Sequence, residues 1–333
     1  MTESELLRAA AQGDDRAYAE LVEAHRRLLH AHCYRMLGSV QDAEDAVQET
    51  LLRAWKNLSS FQGRSSLRSW LFTIATNVCL RAIERRPARV LPIDYGPAGD
   101  PHQPLGPPLA ESTWIEPYPD ARLGLEDGLA GPEARYEQRE SVELAFIAAL
   151  QHLPPRQRAV LILRDVLGFS GAEVAEAMNT TPASVYSALQ RAHESVDRRL
   201  PERSQQQTLR SLGDARLQEI VDRYVQAWER QDVDALAAML TDGATIAMPP
   251  TATWYRGRAE VATGLRSGPI DGAHRWRMTP TRASGQLAVA AALWDDVRGS
   301  FVAHHTAVLT LRGALIDAID AFHDPSAELG SHA

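Results

Sequence analysis

Cysteine is nearly absent from this chain of 333 residues: Cys33 and Cys79 are the two it has. That excludes a disulfide scaffold and any four-cysteine zinc site. No apolar run approaches the roughly 18 residues that a membrane span requires. The N-terminus has no basic stretch followed by an apolar one, which argues against a standard signal peptide. No membrane association and a reducing, cytoplasmic setting are the expectations. Neither a His-Glu-x-x-His helix nor a glycine-rich phosphate loop occurs, so no metal, nucleotide or other cofactor is implied. An excess of positive charge is missing too. With 35 basic and 43 acidic residues the net charge is -8, which argues against a protein that coats DNA nonspecifically.

What is present is ordinary globular material, 44% hydrophobic and 23% charged. The length suggests two or three domains. Charge and proline are unevenly placed. Residues 91–134 hold one basic and eight acidic side chains and nine of the 19 prolines, whereas residues 1–90 hold 13 basic and 11 acidic. Proline lacks the helical donor and clashes with the preceding turn, so residues 89–134 read as an acidic, partly extended linker. Within it lies Trp114-Ile-Glu-Pro-Tyr-Pro-Asp120. Trp114, Ile115 and Tyr118 are costly to leave in water, so docking on a groove of the C-terminal domain is expected, the alternative being an unbound linker.

Residues 1–86 carry apolar positions at spacings of three and four almost throughout. In the helix Asp42 to Leu58, the stripe Val47, Leu51 and Trp55 leaves Asp45, Gln48 and Glu49 on an acidic and amide-rich face. Such a face meets water or a basic protein surface, not DNA. The next helix, Leu67 to Ile83, buries Leu67, Leu71, Ile74 and Val78 and turns Arg68, Asn77 and Arg81 outward. The polar loop before it, Gln62, Gly63, Arg64 and Ser65, has the donors to hold an unstacked base, while Phe61 reads as core.

Residues 135–202 form a second helical unit with the sharpest local signal. Ser170 and Glu173 make a capping box. Asn179-Thr-Thr181 turns the chain, and Thr181 caps a helix with Pro182 at its first position. Val185, Leu189 and Ala192 face inward, leaving Ser184, Tyr186, Ser187, Gln190 and Arg191 outward, short and polar first and basic later. That suits a helix entering a major groove. Arg156, Arg158 and Arg164 on the preceding helix add positive charge, and a plain helical hairpin is the alternative.

Two stretches, Asp42–Lys56 (DAEDAVQETLLRAWK) with Phe61–Arg81, and Leu153–His193, resemble bacterial RNA polymerase sigma factors of the extracytoplasmic-function type. Their order and spacing match that family over nearly all of residues 1–200. The resemblance implies a first domain (1–88) that binds core RNA polymerase through Asp45, Gln48 and Glu49 and captures the promoter -10 element with Gln62, Gly63, Arg64, Ser65, Arg68, Asn77 and Arg81. It implies a second domain that reads the -35 element through Ser184, Tyr186, Ser187, Gln190 and Arg191. Tyr186 stands where a smaller polar residue is commoner, and His193 where arginine is usual.

After residue 212 the pattern turns to α+β: two helices, then strand-like runs near 245–248, 274–279, 286–294, 300–311 and 316–322, read as a curled antiparallel sheet. Tyr224–Thr251, Trp254–Arg258 and Ala321–Pro325 resemble the SnoaL-like branch of the NTF2-like fold, a cone around a cavity. The expected architecture is therefore multidomain: two all-α domains followed by an α+β cone over residues 213–333. Tyr224, Trp228, Met248, Trp254 and Trp276 are candidate cavity walls, with ordinary core as the alternative. His274, Asp295, His304 and His305 are the catalytic candidates. Strand alternation sends His304 and His305 to opposite faces, so only one enters. The expected role is regulatory rather than enzymatic, in a monomeric transcription initiation factor with core polymerase and promoter DNA as partners. An unknown small ligand is possible in the cavity, where a sensor or an enzyme is the competing reading.

Overall fold

Many of the helix starts in this chain are set by side-chain caps. The computed structural model describes residues 1–61, 63, 65–86, 88–110, 113–123 and 137–323. These fall into two bodies. One comprises residues 1–89, 121–123 and 144–200, and the other residues 90–120, 137–143 and 201–323.

In the first body, α1 (Glu3–Ala11) begins at a Thr2–Glu5 capping box, and α2 (Asp15–Leu37) at Asp14, whose carboxylate accepts from Arg16 N and Ala17 N. Gly38 ends α2 with φ +73°, a left-handed conformation that favours glycine. Ser39 caps α3 (Val40–Asn57) and Ser66 caps α4 (Leu67–Ile83). After residue 143 come α5 (Leu144–Gln151), α6 (Pro155–Leu161) with a π turn at Ile162–Val166, α7 (Gly171–Ala177) and α8 (Pro182–Asp197). The sequence spacing predicted one apolar stripe on α4. The helix instead buries Leu67, Leu71 and Val78, and also Phe72, Ala75, Thr76 and Cys79, with Ile74 half-buried. It packs against α2 and α3 and also against α6 and α7, as a helix apolar on most sides must.

The second body holds α9 (Gln205–Leu212), α10 (Asp214–Glu229), α11 (Val233–Ala237), β1 (Leu240–Ala247), β2 (Trp254–Arg256), α12 (Arg258–Ser267), β3 (Trp276–Ala283), β4 (Gln286–Asp295), β5 (Ser300–Arg312) and β6 (Leu315–His323). The six strands lie in the order β2-β1-β6-β5-β4-β3. The sheet is mixed, not antiparallel as the sequence reading had it, because β1 pairs with β6 in parallel. Sequence reading also missed α9, β2 and α12. Residues 201–207 look polar, yet Gln205 is buried, its Nε2 donating to Leu311 O at 2.9 Å and its Oε1 accepting from Leu311 N at 2.8 Å. Glu143 caps the start of α9, accepting from Gln205 N and Gln206 N, and burial pushes its carboxyl up to about 7 against the pull of those donors.

Strand alternation gives the sheet two faces. Leu287, Val289, Ala307 and Leu309 meet Ile220, Tyr224 and Trp228 of α10 in one core. Their neighbours Ala288 and Val308 point the other way and are also fully buried. Residues 114–118 run from Pro250, just past β1, to Ser284 in the β3–β4 turn. Trp114 Nε1 donates to Pro250 O at 3.0 Å, Tyr118 N to Ser284 Oγ at 3.0 Å, and Ser284 N to Tyr118 O at 2.7 Å. Three strand spacings of roughly 4.8 Å match the reach of four extended residues at roughly 3.3 Å each. Trp114, Ile115 and Tyr118 are 3%, 0% and 0% exposed.

Candidate nucleic-acid interface

The helix-turn-helix is built from its caps. Ser170 Oγ accepts from Glu173 N at 3.2 Å while Glu173 Oε2 accepts from Ser170 N at 2.8 Å, and those hydrogen bonds hold the Glu173 carboxyl below its ordinary value. Asn179 turns the chain at φ +48°, and Thr181 Oγ1 accepts from Ser184 N to start α8. Val185, Ala192 and Val196 are the buried side of α8, with Leu189 half-buried. Ser184, Tyr186, Ser187, Gln190 and Arg191 are all exposed. Ser184 Oγ lies 3.0 Å from Thr181 Oγ1, and Gln190 Nε2 donates to Glu194 Oε1 at 3.1 Å. The Tyr186 ring lies over Gly171, where a Cβ would stand 3.0 Å from its hydroxyl, so α7 must begin with glycine for this aromatic to sit there. His193 bonds Asp165 at 2.5 Å.

Of the three arginines counted from the sequence as charge toward DNA, Arg158 is an internal tie, while Arg164 is half-buried and Arg156 stays exposed. Arg158 is 2% exposed. Its Nη1 donates to Met36 O and Gln151 Oε1, and its Nη2 to Gln151 O and Leu153 O. Burial lowers its pKa to about 10, which still leaves it charged. Arg156 donates to Met178 O at 2.6 Å and Arg164 to Phe169 O at 3.4 Å. Periodicity placed them on a helix and could not show that carbonyls wait for them.

On α4, Asn77 and Arg81 are exposed, Asn77 Nδ2 donating to Thr73 O at 2.9 Å. Arg68 is half-buried. It donates to Leu167 O at 2.7 Å and lies 4.5 Å from the Phe169 ring centre, so the chain's own turn occupies it. Gly63 is exposed at φ +66° and Ser65 is half-buried, while Gln62 and Arg64 lie outside the described residues. Phe61 is half-buried against Trp70 at 5.0 Å. On α3, Asp45 and Gln48 are exposed with no partner among the described residues, and Glu49 accepts from Arg53 at 2.6 Å. Asp42 is paired with Arg86 and Arg89, whose hydrogen bonds outweigh burial and lower its pKa. Glu44 is paired with Arg122 at 2.9 Å.

In the second body, Tyr224, Trp228 and Trp276 belong to the core and Met248 packs partly buried against it. Trp254 does not. Alternation along β2 turns Tyr255 inward, and the Trp254 indole donates to Gly96 O at 2.9 Å, facing residues 96–99 rather than the interior. The alternation argument for the two histidines fails as well. A β-bulge puts His304 and His305 side by side, with their Nδ1 atoms 2.9 Å apart. His274 bonds Asp271 at 2.8 Å, and Asp295 Oδ1 accepts from Val297 N and Arg298 N in the β4–β5 turn. No helix among the described residues is long and apolar enough to cross a membrane, and none of their His, Cys, Asp and Glu groups has the geometry to hold a metal.

Comparison with known proteins matches three stretches to families: residues 21–88 to Sigma-70 region 2, residues 143–195 to Sigma-70 region 4, and residues 221–323 to the SnoaL-like domain. The ECF RNA polymerase sigma factor SigG of Mycobacterium tuberculosis (strain ATCC 25618 / H37Rv) is 44% identical over 324 residues, covering 94% of this chain and 82% of that one. The ECF RNA polymerase sigma factor SigW of Bacillus subtilis (strain 168) is 27% identical over 57% of this chain and 91% of its own. The crystal structure of the extracytoplasmic function sigma factor SigJ of Mycobacterium tuberculosis has the same fold, with a TM-score of 0.57 at 23% identity over 92% of this chain and 96% of that one.

Proposed function

Because the chain belongs to the ECF RNA polymerase sigma factors, we propose that it acts in the cytoplasm as a monomer which joins core RNA polymerase and brings it to promoters through two separate readers. It is a transcription initiation factor and not an enzyme. The observation that carries the reading is α8: a capped, well-packed helix whose Ser184, Tyr186, Ser187, Gln190 and Arg191 all lie open on one side. Gln190 and the two serines suit base edges of a -35 duplex, and Arg191 suits a phosphate. Asn77, Arg81 and the loop at Gly63 and Ser65 suit the -10 strand, with Arg68 joining them once it leaves Leu167 O. Asp45 and Gln48, with Glu49 beside them, offer an acidic patch to a basic surface of the polymerase.

The C-terminal body regulates this activity. Residues 114–118, which bond to it, belong to the segment joining the two DNA-reading parts, so whatever the body does bears on their spacing. Run-off transcription with purified core polymerase tests the whole reading. Promoter-directed transcript that depends on this chain, and is lost when Ser187, Gln190 and Arg191 are replaced together by alanine, is the expected result. No transcript above core polymerase alone, on a panel of promoters drawn by binding selection, overturns it.

A further inference from the structure

The outer face of the sheet, away from the core of the cone, carries positive charge that the chain does not pair. Trp276 and Met278 of β3 point into the core. Arg275, just before β3, and Arg277 on it therefore point to the opposite side, where both are exposed. Trp294 on β4 lies opposite Arg275, its N donating to Arg275 O at 2.9 Å, and Phe301 on β5 lies opposite Trp294. The Arg275 guanidinium stands 4.6 Å from the Trp294 ring centre, and that of Arg277 stands 4.0 Å from the Phe301 ring centre. The two rings are 5.2 Å apart and half-buried. Four flat groups from three adjacent strands thus form one platform.

Its charge is open. Neither Arg275 nor Arg277 has an ion pair or a side-chain hydrogen bond among the described residues. The acids of the β4–β5 turn have other partners. Asp295 accepts from Val297 N and Arg298 N and lies 3.7 Å from the Arg298 guanidinium, while Asp296 accepts from Trp294 Nε1 at 2.9 Å. A chain of net charge -8 therefore keeps two unpaired cations side by side on one face. A guanidinium laid on a ring is held by it, and its edge donors remain available to an anion.

That arrangement selects its occupant. Arg275 and Arg277 are two residues apart on an extended backbone, roughly 6.6 Å, close to the step between successive phosphates of an extended single strand. Bases splayed from such a strand stack on aromatic rings and on arginine planes without a sequence requirement. A duplex hides its base faces, and an acidic protein surface would answer the charges but make no use of the planes. We propose that this face of the C-terminal body binds single-stranded DNA, with Arg275 and Arg277 on phosphates and the bases stacked over the platform that Trp294 and Phe301 support. The contact goes beyond the two promoter readers and rests on the initiation-factor reading only for the source of the strand, the DNA opened at a promoter.

Fluorescence anisotropy of a labelled oligothymidylate against the full chain, over a salt series and without polymerase, tests it. Arg275→Gln with Arg277→Gln changes two exposed side chains, and thermal unfolding checks that the fold is kept. The pair is expected to weaken binding at least fivefold. It is also expected to flatten the slope of log affinity against log salt by about 1.4, at roughly 0.7 for each phosphate contact on a single strand. Arg275→Lys with Arg277→Lys keeps the charge and loses the planes, so the slope is expected to stay while affinity falls at least twofold. Absence of binding, an unchanged affinity and slope in the glutamine pair, or a tenfold preference for oligouridylate overturns the proposal. So does loss of binding in Asn77→Ala with Arg81→Ala but not in the glutamine pair, which places the strand on α4. A glutamine pair that keeps the oligonucleotide and loses core polymerase assigns the face to an acidic protein surface instead, and the proposal falls. Run-off transcription by the same preparations separates the two readings. Transcript with equal oligonucleotide binding in parent and glutamine pair removes the platform alone, and platform binding without transcript removes the initiation-factor reading alone.

Discussion

Among the buried polar atoms of the described residues, two groups, one in each body, differ in how far the chain satisfies them. The Arg158 guanidinium in the first body is a charge 2% exposed, and its two terminal nitrogens make four hydrogen bonds to Met36, Gln151 and Leu153. In the C-terminal body, Tyr224, Trp228 and His305 are as deeply buried, and each keeps an atom with no partner among the described residues. The first pattern is that of a structural tie: both terminal nitrogens meet oxygens of the chain, and Nε alone is left without a partner among the described residues. The second leaves one atom on each ring without a well-formed hydrogen bond among the described residues. Burial alone is therefore a poor guide to what a polar group contributes in this chain, and the state of the buried hydrogen bonds is a better one.

The comparison breaks first at Arg158. Alanine there removes the stem and takes a donor from three main-chain carbonyls and from Gln151 Oε1. The expected loss is about 3–5 kcal/mol of unfolding free energy, the range for a broken buried polar network. Denaturant unfolding of full-length protein checks it, and a loss below about 1 kcal/mol would mean that water or a neighbouring side chain replaces the guanidinium. Gln205 is the corresponding tie in the C-terminal body, since it bonds Leu311 through both the carbonyl and the amide of its side chain. Gln205→Ala is expected to cost about 1–3 kcal/mol, because it orphans a donor and an acceptor on β5. If the cost is nil, the satisfied ties of the two bodies are not equivalent.

Titration sharpens the contrast in a different way. Arg158 keeps its charge across the whole ordinary pH range. Asp320 on β6 does not: burial first, and the nearby Asp94 charge second, raise its carboxyl from 3.8 to about 7. The folded chain then holds this proton where the unfolded chain has released it. That stability is fully present below about 3.8 and is lost as pH rises toward 7. His305 runs the other way. Its folded value of about 3 lies below the ordinary 6.5, so its contribution is present above 6.5 and is lost as pH falls toward 3. Between these limits the two slopes oppose each other and partly cancel. Asp320→Asn is expected to raise the midpoint of thermal unfolding at pH 8 and to leave it nearly unchanged at pH 4. A variant that melts lower than the parent at pH 8 would show that the charged carboxylate is held by partners rather than penalised.

Much of the first body was legible in the sequence, because its signals are local. Ser170 with Glu173, and Thr181 with Pro182, sit at fixed offsets from helices that need caps, and the caps are there. What sequence could not show was the second buried side of α4, since Phe72 turns from surface to core where it meets His32 and Phe169, and Thr76 where it bonds His32 of α2. The same limit hid the bonds of Arg158 to Met36 and of Arg156 to Met178, which lie on other segments. In the C-terminal body the aromatic residues of α10 were readable from helical spacing. The parallel pairing of β1 with β6 depends on a connection of more than half the domain, and nothing local marks it. The candidate site there was misread at two points for one reason. Strict alternation was assumed along β5, where the bulge at His304 breaks it, and Trp254 was counted as cavity when alternation along β2 turns it outward.

The smallest expected effect is the most telling for the comparison. Tyr224→Phe deletes one oxygen from a fully buried ring and changes nothing else in the packing. If Tyr224 Oη were a structural tie like Arg158, its loss would cost about 1–3 kcal/mol, the penalty of a partner left unsatisfied. Its one such neighbour is the Trp228 side chain, with which it makes no well-formed hydrogen bond, and burial outweighs that neighbour and raises its pKa well above the ordinary value. Removing an unpaired buried hydroxyl relieves a desolvation penalty, so the free protein is expected to be unchanged or up to about 1 kcal/mol more stable. Thermal unfolding of the ligand-free chain at pH 7 measures this directly. A gain or no change keeps the two buried groups distinct: a tie that stabilises in one body, and in the other a hydroxyl that the fold carries at a cost. A loss of about 1 kcal/mol or more would make Tyr224 a second tie, and the distinction between the two bodies would then rest on Trp228 and His305 alone.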